Sequence, residues 1–108
     1  MQPWRLLTAL VTGIPLLACS IGSAAADCRE DHAAADQNVR RTRVAIEKVM
    51  NDTEAAKCSA YRRHIAALTD KRTVIARCDT GPNRAQNVSA IDSQIADFNR
   101  RAEASCKR

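Results

Sequence analysis

The chain has few aromatic residues and few of the residues that interrupt helices. Its 108 residues include one Trp, one Tyr and one Phe, with three Gly and three Pro. So few glycines leave no Gly-rich loop that could hold a phosphate group. So few aromatic residues leave no stacking side chains among the basic ones, which argues against a nucleic acid as partner.

Motifs for catalysis are also missing from the sequence. It contains no His-Glu-x-x-His and no Gly-x-Ser-x-Gly motif. The four cysteines after residue 26 are separated by 29, 19 and 27 residues, unlike the Cys-x-x-Cys spacing of redox and zinc sites. The sequence therefore predicts a protein that is not an enzyme, without a cofactor and without a metal site.

The first 26 residues have the pattern of a secretory signal peptide. Arg5 supplies a positive charge, residues 6–18 form an apolar run, and the alanines at 24–26 are the small residues that a signal peptidase reads. The run is shorter than the roughly 20 residues of a membrane span. We predict a signal peptide over residues 1–26 and one domain over residues 27–108, located in the periplasm or secreted.

A rival cleavage site lies within the same leader. Residues 16–19, Leu-Leu-Ala-Cys, resemble a bacterial lipobox, in which Cys19 would be lipidated and would anchor the protein to the membrane. A lipid-anchored spacer is therefore an alternative to a soluble exported protein. Both sites leave the same four cysteines for disulfide bonds, namely Cys28, Cys58, Cys78 and Cys106.

Three segments after the leader have the spacing of amphipathic helices. Apolar residues recur every three or four positions in each, and no segment alternates as a β-strand would. We predict helices over about residues 28–50, 54–79 and 84–106. Each segment also opens on a capping-box pattern, at Asp27-x-x-Glu30, Asn51-x-x-Glu54 and Asn83-x-x-Gln86.

Two turns separate the predicted helices. Residues 79–82, Asp-Thr-Gly-Pro, stop a helix firmly, because Gly81 suits a left-handed C-cap and Pro82 cannot continue the helix. Residues 51–53 are a softer stop, since none of them forbids a continuous helix. A long two-helix hairpin is therefore the alternative to an up-down-up three-helix bundle.

The cysteine positions favour the three-helix bundle. In an antiparallel helix pair, two residues at one height have numbers that average to the centre of the intervening turn. Cys28 and Cys78 average to 53, which is the first turn. Cys58 and Cys106 average to 82, which is the second. We therefore predict an all-α bundle with the disulfides Cys28–Cys78 and Cys58–Cys106, whereas a hairpin would keep Cys28 far from Cys78.

Arginine is the most suggestive functional feature. After residue 26 the chain has 16 basic and 12 acidic residues. The averaging rule places seven arginines at about one height, and we call this group the arginine belt: Arg40, Arg41, Arg43, Arg62, Arg63, Arg100 and Arg101. Guanidinium groups bind carboxylate and phosphate through paired donors. The belt predicts a non-catalytic binding or structural protein whose partner is an acidic protein or an anionic envelope component. A solvated surface without a ligand is the simpler interpretation.

A second hypothesis treats the cysteines as chemical groups. His32 lies one helical turn after Cys28, so reduced Cys28 and Cys78 together with His32 could handle a metal ion or exchange thiols. His64 would lie about 15 Å away in height from His32, which argues against a two-histidine site. Export favours structural disulfides over this hypothesis.

Overall fold

The protein is an all-α, three-helix bundle, as predicted. The computed structural model describes Gly13 and residues 21–107, with side chains over residues 26–107. Helix α1 spans Ile21–Val49, α2 spans Glu54–Cys78 and α3 spans Gly81–Cys106. Residues 21–107 contain no strand and no helix long and apolar enough to cross a membrane. The rest of the predicted signal peptide, including Cys19, lies outside the described residues.

Helices α1 and α2 do not begin at the cap residues that the sequence predicted. Helix α1 begins at Ile21 and continues through Asp27, since the alanines at 24–26 favour helix. The N-cap of α2 is Thr53, whose hydroxyl accepts a hydrogen bond from the backbone N–H three residues later at 3.1 Å. The capping boxes predicted at Asp27 and Asn51 are therefore wrong.

The turn between α2 and α3 is shorter than predicted. Helix α3 begins at Gly81 and has Pro82 in its first turn, where the missing N–H removes no hydrogen bond. Gly81 has a φ of +68°, a left-handed conformation that glycine adopts without strain. It starts α3 instead of ending α2, whose C-cap is the extended Asp79. Asn83 lies inside α3, so the third predicted capping box is also wrong.

Helix α2 is the central element of the bundle. Helix α1 ends at Val49, which excludes the two-helix hairpin. Both outer helices pack closely on α2, whereas no Cα atom of α1 lies within 8 Å of a Cα atom of α3 over residues 21–107. The interface between α1 and α3, which we call the α1–α3 seam, is therefore the widest of the three helix–helix interfaces.

Two disulfides join the helices at opposite ends, with the predicted pairing. The Cα atoms of Cys28 and Cys78 are 5.7 Å apart, and those of Cys58 and Cys106 are 5.0 Å apart. We divide the bundle accordingly into a 28–78 half (residues 27–39 and 67–96) and a 58–106 half (residues 40–66 and 97–107). Two disulfides in so small a domain are typical of an oxidising compartment.

The core is a narrow line of apolar side chains along α2. Leu68 is fully buried and clusters with Val39 of α1 and Ile91 of α3. A second cluster around Tyr61 lies in the 58–106 half, and Phe98 of α3 packs against both clusters. All five residues occupy the helical spacing that the sequence indicated. This packing fixes the rotation of each helix and hence the direction of its polar side chains.

Candidate anion-binding site

The arginine belt lies in the 58–106 half, and all seven of its residues are exposed. Its common height follows from the register of the helices. Thr42 of α1 and His64 of α2 are hydrogen-bonded to each other, and their residue numbers average to 53, as those of Cys28 and Cys78 do. Arg72 of α2 and Asp92 of α3 are also hydrogen-bonded, and their residue numbers average to 82, as those of Cys58 and Cys106 do. The register that the cysteines predict therefore holds along both helix pairs.

The belt surrounds the bundle and does not form a single pocket. Arg40 and Arg41 line a shallow groove formed by α1 alone. Arg62 lines another groove between α2 and α3, together with Glu103 and Lys107. One small anion could not contact both sets, whereas an extended anionic surface could contact either.

Two belt arginines, one on α3 and one on α1, interact with residues of the core. The guanidinium carbon of Arg101 is 5.1 Å from the centroid of the Phe98 ring, which is cation–π geometry. Phe98 in turn meets the imidazole of His64 edge to face, with 4.4 Å between ring centroids. From α1, the charge of Arg43 also acts on His64. Arg43 therefore acts on the buried histidine directly, whereas Arg101 is connected to it through the Phe98 ring.

Most belt arginines have no carboxylate partner among the described residues. Arg100 is paired with Asp97. Over residues 26–107, no carboxylate oxygen lies within 4 Å of the other six, which are Arg40, Arg41, Arg43, Arg62, Arg63 and Arg101. Their donors are therefore open to an external acceptor.

Cations in the 28–78 half are mostly paired across the helices. Lys71 and Arg72 reach from α2 to carboxylates on the two outer helices, at 3.1 Å and 2.5 Å respectively. The cross-helix pairs are Lys71–Asp36, Arg77–Asp31, Arg72–Asp92 and His32–Asp79. Positive charge in this half is thus largely neutralised inside the structure.

Net charge is divided unequally between the halves. The 58–106 half has ten basic and five acidic residues, whereas the 28–78 half has five basic and seven acidic residues. The halves therefore carry net charges of +5 and −2. Such a separation attracts an anionic partner to the belt and orients it during approach.

The residues of the metal or redox hypothesis meet at the other end of the bundle. Cys28 and Cys78 are bonded to each other, so neither sulfur is available as a thiolate ligand. His32 Nε2 lies 3.1 Å from the carboxylate of Asp79. Nowhere in residues 26–107 do three His, Cys, Asp or Glu side chains form a group able to hold a metal ion.

His64 is the notable residue that the sequence interpretation missed. It is 0% exposed, and its Nδ1 lies 2.7 Å from the Thr42 hydroxyl. Its Nε2 has no hydrogen-bond partner among the described residues. Burial, and then the nearby charge of Arg43, lower the pKa of His64. Its spacing from Tyr61 and Leu68, three and four residues, is the sequence signal that places it on the buried face.

The fold defines the class of the protein as a small three-helix bundle cross-linked by two disulfides. Comparisons of the chain with protein-family models, curated proteins and solved structures found no match. The chemistry of the belt is therefore the feature of this protein that bears on its function.

Proposed function

We propose that this protein is an exported, non-catalytic binding protein that engages an extended anionic partner through the arginine belt. The partner is an acidic protein or an anionic component of the cell envelope. The observation that supports this proposal is the set of six exposed arginines at one height of the bundle that have no carboxylate partner within residues 26–107. Arginines held in internal ion pairs would have to lose those pairs before binding a ligand.

The proposed location combines two observations. The disulfides are typical of an oxidising compartment, and the leader has the pattern of a signal peptide. Together they support export to the periplasm or secretion. Cleavage before Cys19 instead would leave the same domain attached to the membrane by a lipid, where the belt would face envelope components directly.

The outer face of α1 is the best-defined part of the proposed binding surface. Arg40, Arg41 and Lys48 line a groove around Val44 there, and Val44 is 47% exposed. An apolar contact flanked by cations fits an acidic surface that also carries an apolar group. This face therefore adds a short-range contact to the long-range attraction of the belt.

The test compares two variants that lose the same charge from different halves. The belt variant replaces Arg40, Arg41, Arg62 and Arg63 with Gln. The control variant replaces four cations of the 28–78 half with Gln, namely Arg29, Lys71, Arg77 and Arg84. Binding to polyglutamate and to polyphosphate is measured by fluorescence anisotropy over a range of NaCl concentrations.

We expect the belt variant to bind about tenfold more weakly at low salt, and the control variant to stay within about threefold of wild type. Wild-type binding should weaken as NaCl rises, because salt screens charges at the surface. Equal losses in the two variants would show that only net charge matters and would overturn the proposal. Circular dichroism of each variant verifies that the bundle remains folded.

A further inference from the structure

We infer that His64 makes the middle of the bundle sensitive to acid: when its imidazole takes up a proton, the core between the two disulfides loosens along the α1–α3 seam. The inference concerns the stability of the core and does not depend on the proposed function. It rests on the position of His64, the charges that face it and the placement of the two disulfides.

His64 lies where all three helices meet. It is fully buried on α2, bonded to Thr42 of α1 and in edge contact with Phe98 of α3. The Thr42 hydroxyl donates its proton to the Val39 carbonyl at 3.0 Å. The tautomer compatible with this hydroxyl orientation has His64 Nδ1–H donating to the Thr42 oxygen at 2.7 Å, which leaves Nε2 as a buried lone pair.

A protonated His64 would have no favourable partner in this position. The Nε2–H would have no acceptor among the described residues. The charged group that acts on it is Arg43 on α1; on α3, the guanidinium of Arg101 stacks on Phe98, the ring that His64 contacts. From α2 itself, the neighbouring Tyr61 hydroxyl is directed to the Met50 sulfur at 3.8 Å. A buried imidazolium would therefore face the like charge of Arg43 and would have an unsatisfied donor.

The disulfides determine where the structure can yield. One joins α1 to α2 and the other joins α2 to α3, so neither joins α1 directly to α3. The α1–α3 seam is also the widest, with no Cα atoms within 8 Å across it over residues 21–107. Water can therefore reach Nε2 most easily where these helices part at the middle, while both ends stay linked.

The sign of the pH dependence follows from the protonation states. Burial and Arg43 lower the pKa of His64 in the closed bundle, whereas a solvated imidazole has a pKa near 6.5. The open form therefore binds more protons as pH falls below about 6.5. The open-to-closed ratio rises by up to about tenfold per pH unit until pH reaches the lowered pKa. Above about pH 6.5 His64 is neutral in both forms, so it no longer favours the open form.

The test measures amide hydrogen exchange in wild type, His64→Leu and His32→Gln at pH 7.5 and pH 5, corrected for intrinsic exchange rates. In wild type we expect opening near residues 39–46 and 61–68 to increase at pH 5, by up to about tenfold for each pH unit below 6.5. His64→Leu should abolish this increase, because no proton can bind there. His32→Gln is the matched control and should retain it, since His32 lies at the 28–78 end.

A second measurement does not depend on the folding of the leucine variant. The imidazole resonances of His64 are titrated by NMR in wild type and in Arg43→Gln. We expect the pKa of His64 below its ordinary value in wild type, and closer to that value in Arg43→Gln. The inference is wrong if His64 titrates with an ordinary pKa in the folded protein, or if His64→Leu keeps the full acid response. An acid response spread evenly over all three helices would also overturn it.

Discussion

The two halves of this bundle are stabilised by different interactions. In the 28–78 half, three ion pairs join α2 to its neighbours alongside the disulfide, and His32 of α1 contacts Asp79 at the end of α2. In the 58–106 half, the helices meet through Tyr61, Phe98 and the buried His64. Within the described part of the chain, Arg100 is the one belt arginine there with a carboxylate partner. The same chain thus uses its charges for folding in one half and leaves them exposed in the other.

This difference bears on how a small domain can combine stability with binding. Unpaired like charges at one height repel one another and add little to folding. Internal ion pairs would remove that repulsion but would occupy the guanidinium donors. The 58–106 half therefore depends on its apolar cluster and on the Cys58–Cys106 bond. The predictions below test whether the halves differ in this way.

Removal of one disulfide at a time should have the largest effect. The bonds close loops with sequence separations of 50 and 48 residues, so the chain-entropy model gives about 4 kcal/mol for each. Because these values are nearly equal, any difference reports on the other interactions at each end. One double variant carries Cys58→Ser and Cys106→Ser, and the other carries Cys28→Ser and Cys78→Ser. We expect the first to lose more free energy of unfolding than the second, measured by urea unfolding at pH 7.5.

The control for this pair of variants is intrinsic to the design. Each double variant retains one disulfide and has no free thiol among the four domain cysteines, so thiol exchange does not complicate the comparison. Amide exchange then shows where protection is lost. A greater loss for the variant without Cys28–Cys78 would contradict the view that ion pairs support that end.

The fold was predictable because two independent signals agree. The turn at residues 51–53 is weak by itself, and the cysteine spacing is ambiguous by itself. Their common centre near Thr53 selects one topology and one disulfide pairing, both of which the structure confirms. The exact helix starts were not predictable in this way, because capping patterns compete with helix propensity and with other polar residues nearby.

The sequence predicted the position of the belt arginines along the bundle, but it did not predict which residues their side chains face. Register alone places Arg43 and Arg101 level with each other, yet only packing shows that Arg43 acts on His64 and that Arg101 stacks on Phe98. Pairing was also beyond the sequence, since Asp36 and Asp97 each have an arginine four residues later. In the structure Asp36 pairs with Lys71 on α2, whereas Asp97 pairs with Arg100. Tertiary packing decides which of several local partners a surface charge takes.

The two helix caps that open α2 and α3 should differ by about 1 kcal/mol. The Thr53 hydroxyl accepts a hydrogen bond from the Ala56 N–H, whereas Thr80 makes no side-chain cap bond. We expect Thr53→Ala to lower the free energy of unfolding by about 1 kcal/mol and Thr80→Ala to lower it by only a few tenths. Urea unfolding of the two variants gives both values. Equal losses would mean that the 58–106 half does not depend on this cap.

Salt should have the smallest effect and opposite signs in the two halves. An exposed pair such as Lys71–Asp36, at 3.1 Å, contributes about 0.5 kcal/mol. At 1 M NaCl the Debye length falls to about 3 Å, which weakens this pair but also screens repulsion within the belt. Amide exchange at 0.05 and 1 M NaCl should therefore show that the higher salt concentration lowers protection in the 28–78 half and raises it in the 58–106 half.

Two variants serve as controls: Lys71→Gln should reduce the change in the 28–78 half, and Arg63→Gln should reduce the change in the 58–106 half. A general effect of salt on burial would move both halves in one direction, so changes of the same sign would remove the electrostatic distinction between them.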